Sequence, residues 1–135
     1  MPQVHGFTHV SLSVRDLESS AAWYRDVLQL DVLVPAFERE GLYRETLLSI
    51  AGGRMALSLQ QHLANDGEPF LERRTGLDHV AFLVRTIEEF GEWIARFEAL
   101  KIAYSREPDS DTWGAMAVLR DPDNIQVELH CPRKA

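Results

Sequence analysis

His9 and His79 head two similar segments, His9-Val10-Ser11-Leu12-Ser13-Val14 and His79-Val80-Ala81-Phe82-Leu83-Val84, spaced 70 residues apart. Two imidazoles joined by one carboxylate are a donor set for a divalent first-row metal, with positions left open for substrate or oxygen. Glu128 is the candidate carboxylate. Extended, the segment Ile125–Cys131 sends Gln126, Glu128 and His130 to one face and Ile125, Val127 and Leu129 to the other. The competing reading makes each histidine an ordinary satisfied strand residue. Gln60 is a weaker fourth ligand, because an amide oxygen carries no charge, and its competing reading is an exposed polar residue at a strand end. Ser58 holds the place of Glu128 in the first half and leaves room for water or substrate. If Ile50 pairs with Met55, then Leu47 faces Ser58 and Glu45 faces Gln60. The same spacing puts Ala117 opposite Glu128, with Ala115 and Trp113 further along. Glu45 and Trp113 are then expected to line one cavity, with Glu45 as general base; the competing reading of Glu45 is a solvated charge on a strand edge.

These residues need rigid strands to hold them, and the sequence supplies the strands twice. Sliding the chain by 70 positions matches Gly6 with Gly76, His9 with His79, Trp23 with Trp93, and Leu59 with Leu129. The alternating first segment of each half reads as a strand. A helix follows, capped by Asp16 in the first half and by Thr86 with Glu89 as a capping box in the second. Leu17, Ala21, Tyr24, Val27 and Leu28 form one apolar stripe; Ile87, Phe90, Trp93 or Ile94, and Phe97 form the other. Three strand-like runs come after each helix. In the first half they are about 31–37, 42–50 and 55–61, with a turn at Ala51-Gly52-Gly53-Arg54. In the second they are about 102–106, 113–120 and 125–131, with a turn at Asp121-Pro122-Asp123-Asn124. The expected order is βαβββ, twice: module 1 about 5–63, a polar linker about 64–75, and module 2 about 76–132. The two modules are expected to make one 1–135 domain, since about 65 residues is a marginal independent unit.

The composition narrows the function classes. The 135 residues carry 14 Lys+Arg against 21 Asp+Glu, a net charge of −7, and 45% are hydrophobic. That balance argues against nucleic acid or an anionic membrane surface as partner. No apolar run approaches the roughly 18–20 residues that span a bilayer, and Met1–His5 lacks the pattern of a signal peptide. Cys131 is the single cysteine, which excludes an internal disulfide and a cysteine-based zinc site; it reads as a small buried hydrophobe. A cytoplasmic protein is expected.

The motifs His9–Leu30 (HVSLSVRDLESSAAWYRDVLQL), Gly76–Val84 (GLDHVAFLV) and Arg120–Leu129 (RDPDNIQVEL) resemble the vicinal oxygen chelate superfamily of glyoxalases, bleomycin resistance proteins and extradiol dioxygenases. The resemblance covers nearly the whole chain. It implies an α+β fold of two tandem βαβββ modules, whose curled mixed sheets form a metal-containing cavity. The metal ligands then come from the first and fourth strands of each module, which are His9, His79 and Glu128 here. Ser58 stands where glyoxalase I and methylmalonyl-CoA epimerase usually carry Glu or Gln. The implied cofactor is one divalent ion: Zn, Ni, Mn, Co or Fe(II). The implied activity is that of a lyase or isomerase that chelates a small oxygen-bearing substrate and stabilises an enolate or enediolate. The alternatives are an Fe(II) extradiol-type dioxygenase and a metal-free binder of an aromatic drug, for which Tyr43 and Trp113 would form the walls. A homodimer is expected, because such modules often pair across chains. The block His62–His79 (HLANDGEPFLERRTGLDH) is similar to one in uncharacterised glyoxalase-like proteins and has no assigned chemistry.

Overall fold

The structure is a computed structural model that describes residues 1–133. The chain forms two compact units, Met1–Pro69 and a second that begins at Phe70. The first contains β1 (His9–Ser13), α1 (Leu17–Leu28), β2 (Val32–Arg39), β3 (Tyr43–Ile50), a short 3-10 turn (Ala51–Gly53) and β4 (Met55–His62). The second contains β5 (His79–Leu83), α2 (Ile87–Ala99), β6 (Ser105–Ser110), β7 (Gly114–Arg120) and β8 (Gln126–Cys131). Each unit is a four-stranded mixed sheet, ordered β1-β4-β3-β2 and β5-β8-β7-β6. The first strand of each pairs in parallel with the last. This is the expected α+β class with the expected element order. Among the described residues, no helix is long and apolar enough to cross a membrane.

Local chemistry starts both helices. The Asp16 carboxylate accepts from Ser19 N at 2.7 Å, and the Thr86 hydroxyl from Glu89 N at 3.1 Å. Glu89 reaches back to Arg85 N at 3.1 Å, so the capping box closes one residue ahead of the cap. A strand residue also serves α1: Gln61 Oε1 accepts from Leu17 N at 2.8 Å. The helix stripes bury Leu17, Tyr24, Val27 and Leu28 in one unit and Phe90 and Phe97 in the other. Ile87, placed in the second stripe from sequence, is exposed at the first turn. α1 packs on β3 and β4, and α2 on β7 and β8. Leu48, Leu57 and Leu59 are buried on the strands that α1 covers, and Leu119, Val127 and Leu129 on those that α2 covers. The opposite face of each sheet carries the polar residues of interest together with apolar ones such as Leu47 and Val118.

Two expectations are corrected. The strand expected at about 102–106 lies later in the chain, at Ser105–Ser110, because the turn that ends α2 takes up the first part of the run. Lys101 takes a left-handed φ of 54°, Ile102 N donates to Phe97 O at 2.9 Å, and β6 starts only at Ser105. The second correction concerns register. The first hairpin pairs Ile50 with Met55, Leu47 with Ser58 and Glu45 with Gln60, as expected. The second pairs Val118 with Glu128 and Ala117 with Leu129, one residue away from the expected Ala117–Glu128 pair. The turn is the cause. Asp121 N donates to Ile125 O at 3.0 Å, and the Asp121 carboxylate accepts from Ile125 N at 2.8 Å. The loop proper is therefore Pro122-Asp123-Asn124, with Asn124 left-handed at φ 66°. A three-residue hairpin loop ends in this way, whereas four residues connect Ile50 to Met55.

Candidate functional site

In the second unit, β5 and β8 lie side by side with His79 opposite Gln126 and Ala81 opposite Glu128. The register puts His79, Gln126, Glu128, Val118 and Arg120 on the sheet face away from α2. His79 Nε2 lies 3.7 Å from Glu128 Oε2. Two donors bound to one ion at about 2.0–2.2 Å stand about 3.3 Å apart in a tetrahedral site, so this pair is close to a shared-ion separation. Both groups are held from behind. Asp78 Oδ1 lies 2.7 Å from His79 Nδ1. A carboxylate only accepts, so Nδ1 carries the proton and neutral His79 has its lone pair on Nε2, facing Glu128. The same hydrogen bond, with the Glu128 charge adding to it, holds His79 above its ordinary value of 6.5 against the opposing effect of burial. Gln126 Nε2 donates to Glu128 Oε1 at 2.9 Å, which orients Oε2 toward His79. The Glu128 side chain is only 12% exposed.

In the first unit, β1 and β4 set His9 beside Ala56, Ser11 beside Ser58 and Ser13 beside Gln60, again on the face away from the helix. Thr8 Oγ1 lies 3.0 Å from His9 Nδ1, so the residue before each histidine meets the same ring atom. Gly6 and Gly76 precede these strands at φ 145° and 141°, with space around both, so conformation and not crowding favours glycine there. Glu45 lies across from Gln60 on β3. Its Oε1 accepts from Ser58 Oγ at 2.5 Å and from Gln60 Nε2 at 3.1 Å. Ser58 is fully buried. The Tyr43 ring packs against His62 at 5.2 Å on the same strand pair. Glu45, Ser58 and Gln60 are thus one hydrogen-bonded cluster.

Trp113 lies in the turn before β7 and is 64% exposed. The corrected register places the Ala115–Ala117 row, which Trp113 was expected to continue, opposite Cys131 and Leu129, away from Glu128. The Trp113 carbonyl accepts from His130 Nε2 at 2.5 Å, which ties His130 to the turn before β7. Cys131 is buried, as expected, and burial pushes its thiol up. Among the described residues, no group of three or more His, Cys, Asp or Glu within either unit is placed to hold a metal ion. The His79–Glu128 pair fits a divalent ion by donor chemistry and needs further ligands to close it. The sequence reading passes over Asp78 and places Gln126 on the Glu128 face without a role. Their signals were present: an acid immediately before His79, and an amide two residues before Glu128 on one strand face.

Residues 6–129 match the family described as the Glyoxalase/Bleomycin resistance protein/Dioxygenase superfamily. The chain is 26% identical over 129 residues to metallothiol transferase FosB of Staphylococcus epidermidis, covering 95% of this chain and 82% of that protein. A glyoxylase/bleomycin resistance protein/dioxygenase domain from Frankia sp. EAN1pec superposes with a TM-score of 0.85 at 29% identity, over 97% of this chain and 100% of that one. The fosfomycin resistance protein FosX of Listeria monocytogenes, in a complex with Mn(II) and 1S,2S-dihydroxypropylphosphonic acid, shares the fold at a TM-score of 0.68 and 24% identity, over 97% of this chain and 95% of that one.

Proposed function

Because the chain belongs to the Glyoxalase/Bleomycin resistance protein/Dioxygenase superfamily, we propose that it is a metal-dependent, glyoxalase-like enzyme acting on a small oxygen-bearing substrate. The observation that carries this reading is the His79–Glu128 pair, 3.7 Å apart and braced from behind by Asp78 and Gln126. Metal-bound histidines almost always give their other ring N–H to such a partner. His9 is the proposed third ligand, with Nδ1 engaged by Thr8 as that of His79 is by Asp78. Gln60 gives its amide nitrogen to Glu45, which suits a residue that holds the carboxylate as much as one that ligates.

His79 and Glu128, with His9 as the proposed third ligand, would hold a divalent ion (Zn, Ni, Mn, Co or Fe(II)), which would supply Lewis acidity toward a substrate oxygen. Glu45 is the proposed base. Ser58 and Gln60 both donate to Oε1, which leaves Oε2 to take a proton from the carbon beside the substrate carbonyl, giving an enolate or enediolate. Tyr43 is the proposed substrate wall, Trp113 being set aside because its row faces away from Glu128, and the working form is proposed to be a cytoplasmic homodimer.

The likeness to FosB favours a second reading, transfer chemistry on fosfomycin. A phosphonate needs cations. Arg120, on the same face as Glu128, is already engaged by Glu72, by Asn124 O at 3.0 Å and by Gln126 Oε1 at 3.1 Å. The glyoxalase-like reading is therefore preferred.

Metal analysis of the purified protein tests the proposal. Stoichiometric divalent metal that is lost in His79→Ala and in Glu128→Gln supports it. Wild-type protein that takes up no metal but binds aromatic drugs overturns it in favour of the metal-free binder. With metal present, proton exchange beside a carbonyl supports the isomerase or lyase. Thiol-dependent loss of fosfomycin supports the second reading, and catechol cleavage with Fe(II) supports a dioxygenase.

A further inference from the structure

The block His62–His79 carries no chemistry in the reading above, yet its second half reaches both proposed ligands of the second unit, one directly and the other through two side chains. Asp78 meets His79 directly. From the other side runs a chain of hydrogen bonds. Glu72 accepts from Arg120, Arg120 Nη2 donates to Gln126 Oε1 at 3.1 Å, and Gln126 Nε2 donates to Glu128 Oε1 at 2.9 Å. The sequence Glu72–Arg120–Gln126–Glu128–His79–Asp78 thus starts and ends on one stretch of backbone. That stretch is also strapped to the β7–β8 turn: Phe70 N donates to Asp123 O at 2.9 Å, and Asn124 Nδ2 to Phe70 O at 3.2 Å.

We infer that residues 70–78 are a brace for the metal centre, with Glu72, acting through Arg120 and Gln126, as a positioning residue that aims the Glu128 carboxylate at His79. The inference rests on the metal reading of His79 and Glu128. Its chemistry is directional. A glutamine amide can turn by 180° and present either its oxygen or its nitrogen to Glu128. The Arg120 guanidinium has only donors, so it fixes the Gln126 oxygen toward itself and the nitrogen toward Glu128. Glu72 and Asn124 O in turn fix the guanidinium, whose planar fork serves several acceptors at once. With Glu72 removed, Arg120 is released, Gln126 loses its sense of direction, and Glu128 loses a donor at the oxygen that faces away from His79.

Cobalt(II) titration tests this, since the visible spectrum reports both affinity and coordination geometry. Wild-type protein, Gln126→Leu and Glu72→Ala are compared, with circular dichroism as the check on folding. The expected result is folded Gln126→Leu that binds cobalt about 10–100-fold more weakly, the usual range for loss of an outer partner. Glu72→Ala is expected to weaken binding in the same direction with an altered cobalt spectrum. The Glu72 side chain is half-buried and lies at the far end of the chain from Glu128, and this variant carries the test alone if Gln126→Leu does not fold. Arg120→Lys is expected not to restore wild-type affinity, because an ammonium lacks the fork. Folded variants that bind cobalt as tightly as wild type, with the same spectrum, overturn the brace and leave the metal reading intact. Wild-type protein that binds no cobalt overturns both.

Discussion

His79 is the residue on which the site depends most, and its two ring nitrogens have separate tasks. One is tied to Asp78, and the other is turned to Glu128. His79→Ala is therefore expected to abolish stoichiometric metal with an unchanged circular dichroism spectrum; metal retained by that variant would remove His79 from the ligand set. Asp78→Asn keeps the shape but weakens the hold on Nδ1, and metal affinity measured by titration should fall about 10–100-fold. The proposed ligands were legible in the sequence, whereas their supports were not. His9, His79 and Glu128 stand out because imidazole and carboxylate are rare choices on an otherwise apolar strand pattern. Asp78 and Gln126 look like ordinary surface residues until a strand pairing shows what lies beside them.

At the scale of elements, the helix caps and a hairpin closure set the stability of each unit. Thr86→Ala removes the acceptor for Glu89 N and should cost about 1 kcal/mol, read from the denaturant midpoint. Asp16 gives a pH dependence. Hydrogen bonds from Ser19 hold its carboxyl below the ordinary 3.8. Its charged form thus stabilises the fold fully above about that value, and the contribution is lost as pH falls through the lower folded value. Asp16→Asn keeps the cap without the charge. It should melt below wild type at pH 7, with the gap closing as the pH is lowered below the ordinary 3.8; a gap that stays constant on acidification would show the charge to be irrelevant. Gly114 is the most constrained glycine. It sits at φ 83°, and a Cβ there would stand 2.2 Å from Cys131 O, so Gly114→Ala should destabilise by at least about 1–3 kcal/mol in thermal unfolding. Strand alternation and capping patterns revealed eight strands' worth of order and both helix starts, because each is a local signal. β6 and the β7–β8 register were misplaced for a different reason. Each depends on a left-handed residue, Lys101 or Asn124, at a place where a non-glycine gives no warning in the sequence.

On the scale of the whole molecule, each unit has its own apolar layer under one helix. Phe97 is fully buried against Trp93 and Tyr104, and Phe97→Ala should cost about 3–5 kcal/mol in the unfolding free energy. The proposed homodimer is checked by sedimentation at micromolar concentration, where a lone monomer would count against it. One feature of the fold reaches further than any substitution. The loop Pro122-Asp123-Asn124 decides which side of β7 looks toward Glu128. Lengthening it by a single amino acid would turn Val118 and Met116 away and bring Ala117 and Ala115 forward, while driving Leu119 out of its apolar seat. Divergence of this sheet face among kin is then expected to proceed by insertion and deletion at one hairpin tip, and relatives grouped by the length of that tip should present different side chains beside Glu128.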